Sequence, residues 1–105
     1  MKILVIIPTL NESQNISKLL LKILKLYKKI DILVVDDNST DGTYNIVIKF
    51  LSKNKNVKII SRKKEVGIGS AHLRGISYAY KKSYNICITM DADGTHDPLK
   101  IRQMI

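Results

Sequence analysis

The sequence predicts an α/β fold in which a mostly parallel sheet alternates with helices. Four short apolar runs, rich in β-branched residues, alternate along the chain with four stretches of helical periodicity. Strands that are joined through helices need crossover connections, which are right-handed and favour parallel pairing. In addition, two of the apolar runs end in acidic turns, at the position where open α/β sheets bind their ligands.

Each predicted strand is a nearly continuous apolar run, which is typical of strands covered on both faces. The runs span residues 3–7, 32–35, 57–60 and 86–90. Cys87 lies in the last run, so we expect it to be buried. Because it is the only cysteine, a disulfide framework and a cysteine-based metal cluster are excluded.

The first two helices are predicted from apolar residues at the i, i+3, i+4, i+7 spacing of an amphipathic helix. The first extends from Ile16 to Tyr27, and Ser13 is its predicted N-cap. The second extends from Tyr44 to Leu51 and follows residues 40–42, which are expected to supply a turn and a cap.

The third predicted helix runs from about residue 70 to residue 82 and should turn Leu73, Ile76 and Tyr80 towards the sheet. A fourth begins near Pro98, because proline is favoured at the first helical position. A doubly wound sheet would usually continue beyond this point. We therefore expect residues 1–105 to form a single domain that is part of a longer one.

Composition narrows the possible functions. The formal net charge is +9, from 18 Lys and Arg against 9 Asp and Glu, which suits phosphorylated ligands, an anionic membrane surface or nucleic acid. Compositional drift towards lysine explains it equally well. The basic residues are scattered among few aromatics, which argues against nucleic acid. No apolar run approaches the ~20 residues of a membrane span. We expect a cytoplasmic protein that can associate peripherally with the cytoplasmic face of a membrane.

Asp91 and Asp93 follow the fourth strand at i, i+2 spacing. Their carboxylates can converge where the backbone bends, and Mg²⁺ or Mn²⁺ carried on a diphosphate would neutralise their repulsion. The same metal would stabilise the charge of a departing diphosphate. The competing interpretation is a solvated acidic turn in which Asp97 caps the final helix.

Asp36 and Asp37 follow the second strand. Asx and Ser residues are common in such turns because they form local caps, but two adjacent carboxylates are more than a cap requires. We expect one of them to hold the turn and the other to face the crevice, where it accepts hydrogen bonds from a base or a ribose.

Other polar segments carry weaker signals. The turn at residues 8–12 lacks the glycine patterns of dinucleotide and P-loop sites. Gly67 and Gly69 open the third helix, where close packing or the approach of backbone to a ligand is the favoured interpretation. Residues 62–64, Arg-Lys-Lys, are interpreted as a solvated charge run, with a phosphate contact as the alternative. His96 is a candidate to support the acidic pair.

Four motifs in the same order resemble family 2 glycosyltransferases. They are Ile7-Pro-Thr-Leu-Asn-Glu12, Val35-Asp-Asp-Asn-Ser-Thr-Asp-Gly42, Gly67-Ile-Gly-Ser-Ala71 and Met90-Asp-Ala-Asp-Gly-Thr-His-Asp-Pro98. The closest resemblance is to polyprenyl-phosphate sugar transferases of the dolichol-phosphate mannose synthase type, and it covers nearly all of residues 3–105. It implies a Rossmann-like GT-A fold, of which this chain would be the nucleotide-binding half.

The resemblance implies metal-dependent, inverting transfer of a sugar, with mannose from GDP-mannose favoured, to a polyprenyl or dolichyl phosphate. Asp91 and Asp93 would bind Mg²⁺ or Mn²⁺ and form the catalytic pair. Leu10 stands where the family often has an aromatic residue. By position, the resemblance assigns eight residues to the nucleotide sugar: Pro8, Leu10 and Glu12 along the nucleotide, Val35 and Asp37 at the base and ribose, and Asp91, Ala92 and Asp93 at the diphosphate.

Other functions compete with this one. A transferase that uses UDP-glucose would need the same cleft, and a catalytically silent nucleotide-sugar-binding module would keep the cleft without acceptor chemistry. A nucleotidyltransferase is disfavoured, because no glycine- and Arg/Lys-rich loop follows the first strand. In the family, the acceptor surface comes from a later part of the domain, so the resemblance assigns no general base within these residues.

Overall fold

The computed structural model describes residues 1–63, 68–93 and 97–101. The predicted alternation of strands and helices is confirmed, and each strand end lies within two residues of its predicted position. The elements are, in order, β1 (Ile3–Thr9), α1 (Ile16–Leu26), β2 (Asp31–Asp36), α2 (Thr43–Lys53), β3 (Val57–Ser61), α3 (Ile68–Lys81), β4 (Ile86–Thr89) and a 3₁₀ turn (Pro98–Lys100).

The four described strands form one sheet in the order β3-β2-β1-β4, and all three neighbouring pairs are parallel. The chain moves outward from β1 to β2 and β3, and then returns to place β4 on the other side of β1. The direction of winding therefore reverses beside β1, which makes the gap between the carboxyl ends of β1 and β4 the switch point of the sheet.

Helices cover both faces of the sheet, which explains why its central strands are continuous apolar runs. On the face covered by α1 and α2, the core includes Val5, Ile7, Ile16, Leu20, Ile23, Ile32, Val34 and Val47. On the face covered by α3, it consists of Leu4, Ile6, Leu33, Val35, Ala71 and Ala79. None of the helices in the described ranges is long and apolar enough to cross a membrane.

The predicted inward face of α3 is wrong. Leu73, Ile76 and Tyr80 are 69%, 44% and 87% exposed, whereas Ala71 and Ala79 are buried against the sheet. The small residues allow the helix backbone to approach the strands more closely than leucine and tyrosine would. Close approach therefore takes precedence over the burial of the larger apolar side chains.

Gly75 marks the point of closest approach between α3 and the sheet. A Cβ added there would lie 2.4 Å from Cγ2 of the buried Ile6. At Gly69, by contrast, an added Cβ would meet no described atom within 4 Å. Close packing, one of the two interpretations of Gly67 and Gly69, is thus found at Gly75, six residues after Gly69, while Gly67 lies outside the described residues.

The prediction that Cys87 is buried is also wrong. α3 lies mainly over β1 and β2, and β4 is an edge strand of the described sheet. Ile88 therefore points into the core, while Cys87 on the opposite face of β4 is exposed.

The helix caps follow the prediction in part. Asn15, and not Ser13, is the residue that precedes α1. Asp41 accepts the N–H of Thr43 at 3.1 Å, so the predicted turn and cap of α2 are confirmed. Asp97 accepts the N–H of Leu99 at 3.0 Å and caps the 3₁₀ turn, which confirms that part of the competing interpretation of the last acidic segment.

Candidate functional site

A cleft of about 250 Å³ lies at the carboxyl edge of the sheet, where β1 and β4 end. It contains seven of the eight residues that the resemblance assigned to a nucleotide sugar, together with Thr9. The lining consists of Pro8, Thr9, Leu10, Glu12, Asp37, Asp91, Ala92 and Asp93. The parallel sheet explains this convergence, because it brings the carboxyl ends of all its strands to one edge.

The turns after β1 and β2 are bonded to each other. Asn11 adopts a left-handed conformation with φ of 55°, which asparagine tolerates better than most residues. Its N–H donates to Ser39 Oγ at 2.9 Å, and its side-chain oxygen accepts the N–H of Thr40 at 2.8 Å. The segment that carries Leu10 and Glu12 is therefore held against the neighbouring turn, with Leu10 54% exposed at the cleft.

Asp36 is the carboxylate that holds the turn. It is 1% exposed and accepts hydrogen bonds from the Thr9 hydroxyl at 2.6 Å, the Ser39 hydroxyl at 2.6 Å and the Ser39 N–H at 3.0 Å. Asp37 is the carboxylate that lines the cleft. The prediction that one aspartate holds the turn while the other faces the crevice is thus confirmed, and the hydrogen bond of Asp37 to a base or a ribose stays a prediction.

Asp37 is bound by an arginine that the sequence analysis placed in solvent. Arg62 Nε and Nη2 donate to the two carboxylate oxygens of Asp37 at 2.5 and 2.8 Å, and both side chains are about 95% buried, with 5% and 6% exposed. The interpretation of residues 62–64 as a solvated run is therefore wrong for Arg62. Lys63 is exposed, and Lys64 lies outside the described residues.

The position of Arg62 in the sequence is the signal that could have predicted its contact with Asp37. It is the first residue after β3, at the same edge of the sheet as the carboxylate after β2. Its backbone N–H donates to Asp36 O at 2.7 Å, which continues the parallel pairing of β3 with β2. A basic residue at that point in the register lies beside an acidic strand end, whereas Lys63, one position later, is exposed.

Val35 is the one assigned residue that does not line the cleft. Its side chain is fully buried and packs in the core beneath α3, and its backbone lies in register with Pro8 of β1. Its assignment to the base and ribose stays a prediction.

Asp91 and Asp93 follow β4 and line the cleft together, with the buried Ala92 between them. Within the described ranges, no group of three His, Cys, Asp or Glu side chains could hold a metal ion. Two carboxylates nevertheless fit Mg²⁺ or Mn²⁺, because such ions keep several waters and take further oxygens from a bound phosphate. The pair therefore suits an ion that arrives on a diphosphate. His96 lies outside the described residues.

Asp41 helps to hold the cleft-lining segment at Glu12 in place through hydrogen bonds. Its carboxylate accepts the Thr43 hydroxyl at 2.5 Å and the Ser13 N–H at 3.0 Å, and Thr43 Oγ1 in turn accepts the N–H of Glu12 at 3.0 Å. The hydrogen bond from the Thr43 hydroxyl is the main cause that lowers the pKa of Asp41 below its ordinary range, and the Ser13 N–H adds to this.

A larger groove of about 550 Å³ lies between the carboxyl ends of α1 and α2, at the other edge of the sheet. Four of its nine lining residues are lysines, and none is a carboxylate: Leu21, Leu24, Lys25, Lys28, Lys49, Phe50, Lys53, Asn54 and Asn56. It offers no carboxylate to a divalent metal ion. We therefore take the smaller acidic cleft as the candidate site, although it has less than half the volume.

The fold and the cleft define an α/β protein with paired carboxylates at the switch point of a parallel sheet. The sequence model of Glycosyl transferase family 2 matches residues 4–105. The chain belongs to glycosyl transferase family 2, which confirms the resemblance of its four motifs.

Two relatives illustrate the place of the chain within the family. A polyprenol monophosphomannose synthase from Mycolicibacterium smegmatis is 34% identical over 103 residues, which are 97% of this chain and 39% of that protein. A dolichol-phosphate mannosyltransferase from Pyrococcus furiosus is 40% identical over 107 residues, which are 100% of this chain and 29% of that protein. The chain thus spans less than half the length of these relatives.

A solved structure confirms the fold class. A mannosyltransferase from Pyrobaculum calidifontis, in complex with GDP-Man and Mn²⁺, superposes with a TM-score of 0.76 at 27% sequence identity. The match covers 88% of this chain and 27% of that chain. The predicted Rossmann-like GT-A fold with a parallel sheet is therefore confirmed.

Proposed function

We propose that the cleft binds the donor of a hexosyltransferase, a nucleoside diphosphate sugar accompanied by Mg²⁺ or Mn²⁺, and that the donor is GDP-mannose. The observation that carries this proposal is the convergence of Asp37, Asp91 and Asp93 on one cleft at the switch point. The relatives named as mannosyl-transferring enzymes and the neighbouring complex with GDP-Man and Mn²⁺ support the choice of donor.

In this proposal each part of the cleft contacts one part of the donor. Asp91 and Asp93 hold the divalent ion, which supplies Lewis-acid stabilisation of the charge that develops on the leaving diphosphate. Asp37 accepts a hydrogen bond from the nucleoside. Leu10, which is more than half exposed at the mouth of the cleft, packs against the base or the ribose, and Glu12 lines the same end.

The acceptor is proposed to be a polyprenyl or dolichyl phosphate, and the transfer to invert the anomeric centre. The names of the relatives support the acceptor, and the net charge of +9 suits an approach to an anionic surface. Residues 1–105 would form one domain unit that holds the donor at the cytoplasmic face of a membrane.

Calorimetric titration tests the donor site. Purified protein is titrated with GDP-mannose, UDP-glucose and GDP, each with and without Mn²⁺. We expect metal-dependent binding of GDP-mannose, and its loss in D93A. D97A is the matched control, because Asp97 has the same charge and lies outside the cleft, and it should bind like the wild type.

The alternatives predict different results. Preferential binding of UDP-glucose would change the donor, and binding of GDP-mannose without transfer to a polyprenyl phosphate would favour a silent binding module. Absence of nucleotide binding by folded protein, or unchanged metal-dependent binding in D93A, would contradict the proposed site.

A further inference from the structure

We propose that Arg62 is a positioning residue for the donor: it holds the Asp37 carboxylate so that it accepts a single hydrogen from the nucleoside. This inference rests on the proposed function and goes beyond it, because neither the motifs nor the cleft lining includes Arg62. The structure places Arg62 behind Asp37, where it contacts the carboxylate and not the cleft.

The Asp37 carboxylate needs such a partner because it is 5% exposed and cannot rely on water for its solvation. Rotation about the terminal bond of aspartate is soft, so a buried carboxylate has no preferred plane of its own. Two parallel N–H donors from one guanidinium set that plane and neutralise the charge together. A lysine would supply the charge without the fork.

The guanidinium is itself fixed from a third direction. Arg62 Nη1 donates to the Ser70 hydroxyl at 2.6 Å, and Ser70 lies in the first turn of α3. The Arg62 backbone is bonded to Asp36 of β2. Residues at the ends of two strands and one helix therefore set the orientation of Asp37 before any ligand arrives. This prior orientation lowers the entropic cost of ordering the site on binding.

This geometry limits what Asp37 can recognise. Arg62 engages both oxygens along one edge of the carboxylate, so a ligand cannot approach both oxygens from that edge, and the lone pairs on their other sides diverge. A ligand can meet one oxygen, but it cannot pair a two-donor edge with both. The fitting chemistry is one O–H or N–H donor, supplied either by a ribose hydroxyl or by one base N–H.

The test compares dissociation constants for GDP and for analogues that lack one donor, in the presence of Mn²⁺. The analogues 2′-deoxy-GDP and 3′-deoxy-GDP each lack a hydroxyl, and 1-methyl-GDP lacks the base N–H. In the wild type, we expect one analogue to bind about 10-fold or more weakly than GDP, which corresponds to a hydrogen bond to a charged group. The identity of that analogue distinguishes ribose from base.

The variants are R62K and K63M. R62K keeps the charge and loses the fork, so the penalty for the sensitive analogue should fall to about 3-fold or less. K63M removes a neighbouring exposed charge and leaves the contacts of Arg62 with Asp37 in place, so it should keep the penalty of the wild type. R62Q replaces R62K if the lysine variant does not fold, as judged by circular dichroism.

Each outcome decides the inference. A folded R62K or R62Q that keeps the full penalty would show that Arg62 is only structural. A wild type without any sensitive analogue would show that Asp37 accepts nothing from the nucleoside. Failure of the wild type to bind GDP would overturn the proposed function and this inference together, whereas the first two results leave the proposed function standing.

Discussion

At the scale of single residues, the carboxylates at the carboxyl edge of the sheet have different tasks. Asp36 is saturated by hydroxyl and N–H donors of its own turn, whereas Asp93 is exposed at the cleft. The first is a structural anion, and the second lies where the proposed ion and diphosphate would bind. Their substitutions should therefore separate stability from binding.

We expect D36A to lower the free energy of unfolding by about 1.5–3 kcal/mol, because the buried hydroxyl of Thr9 and the partly buried donors of Ser39 lose a charged acceptor. D93A should lower it by less, because Asp93 is exposed. Urea unfolding of both variants measures the difference. Equal destabilisation by the two substitutions would contradict this assignment of roles.

Asp41 gives the protein a specific response to acid. Hydrogen bonds from Thr43 and Ser13 lower the pKa of Asp41 in the folded state. Between the lowered pKa of Asp41 in the folded state and its ordinary pKa in the unfolded chain, the unfolded chain binds more protons. The stabilisation from Asp41 is therefore complete above about pH 4 and is lost as the pH falls through the folded-state pKa. D41N should therefore be less stable than the wild type at pH 6.

The same variant should lose less stability than the wild type between pH 6 and pH 3, because it no longer has this carboxylate to protonate. Thermal unfolding midpoints at the two pH values measure both effects. D97N serves as a comparison, since the pKa of Asp97 is also lowered, mainly by the Leu99 N–H. A D41N variant with the full acid sensitivity of the wild type would rule out this role for Asp41.

How much of the site the sequence predicts depends on how local each contact is. The division between Asp36 and Asp37 was predictable, because a turn needs only one nearby acceptor. The pair of Asp37 with Arg62 joins residues 25 positions apart, and no local pattern separates a buried arginine from the exposed lysine that follows it. Only the strand register shows that Arg62 comes beside Asp37.

At the scale of elements, strands were easier to predict than helix faces. A parallel strand needs only apolar residues and two covered faces, so continuous runs locate it. The orientation of α3 depends on how closely its backbone approaches the sheet, and Ala71, Gly75 and Ala79 allow an approach that large side chains would prevent. Hydrophobic periodicity gives weight to large residues and therefore indicates the wrong face.

Two glycines of α3 provide a matched test of this packing. In G75A the new Cβ would lie 2.4 Å from Cγ2 of Ile6, which is fully buried, and we expect a loss of about 1–3 kcal/mol from overpacking. G69A meets no described atom and should be neutral or stabilising by at most about 1 kcal/mol through helix propensity. Urea unfolding compares the two variants, and an equal response would show that α3 does not pack closely at Gly75.

At the scale of the whole molecule, the acidic cleft and the basic net charge serve different interactions. The carboxylates are gathered at one edge of the sheet, while four lysines line the groove at the other edge. The cleft can attract a metal ion locally although the chain as a whole is positive, because the field of nearby charges exceeds that of distant ones that are screened by salt.

The net charge of +9 predicts reversible binding to anionic membranes. Basic residues near an anionic surface contribute about 1 kcal/mol each, and the attraction falls off within a Debye length of about 10 Å at 0.1 M salt. We expect the protein to sediment with phosphatidylglycerol vesicles at about 20 mM salt, where the Debye length is longer, and to be released at about 0.5 M. Phosphatidylcholine vesicles are the matched control and should retain none.

Because the charge is spread over the chain, K25E and K81E should each weaken the binding slightly and by similar amounts. Failure to bind the anionic vesicles at low salt would contradict a peripheral membrane role, and binding that persists at high salt would require an apolar contact, for which the exposed Leu73 and Tyr80 of α3 are the first residues to substitute.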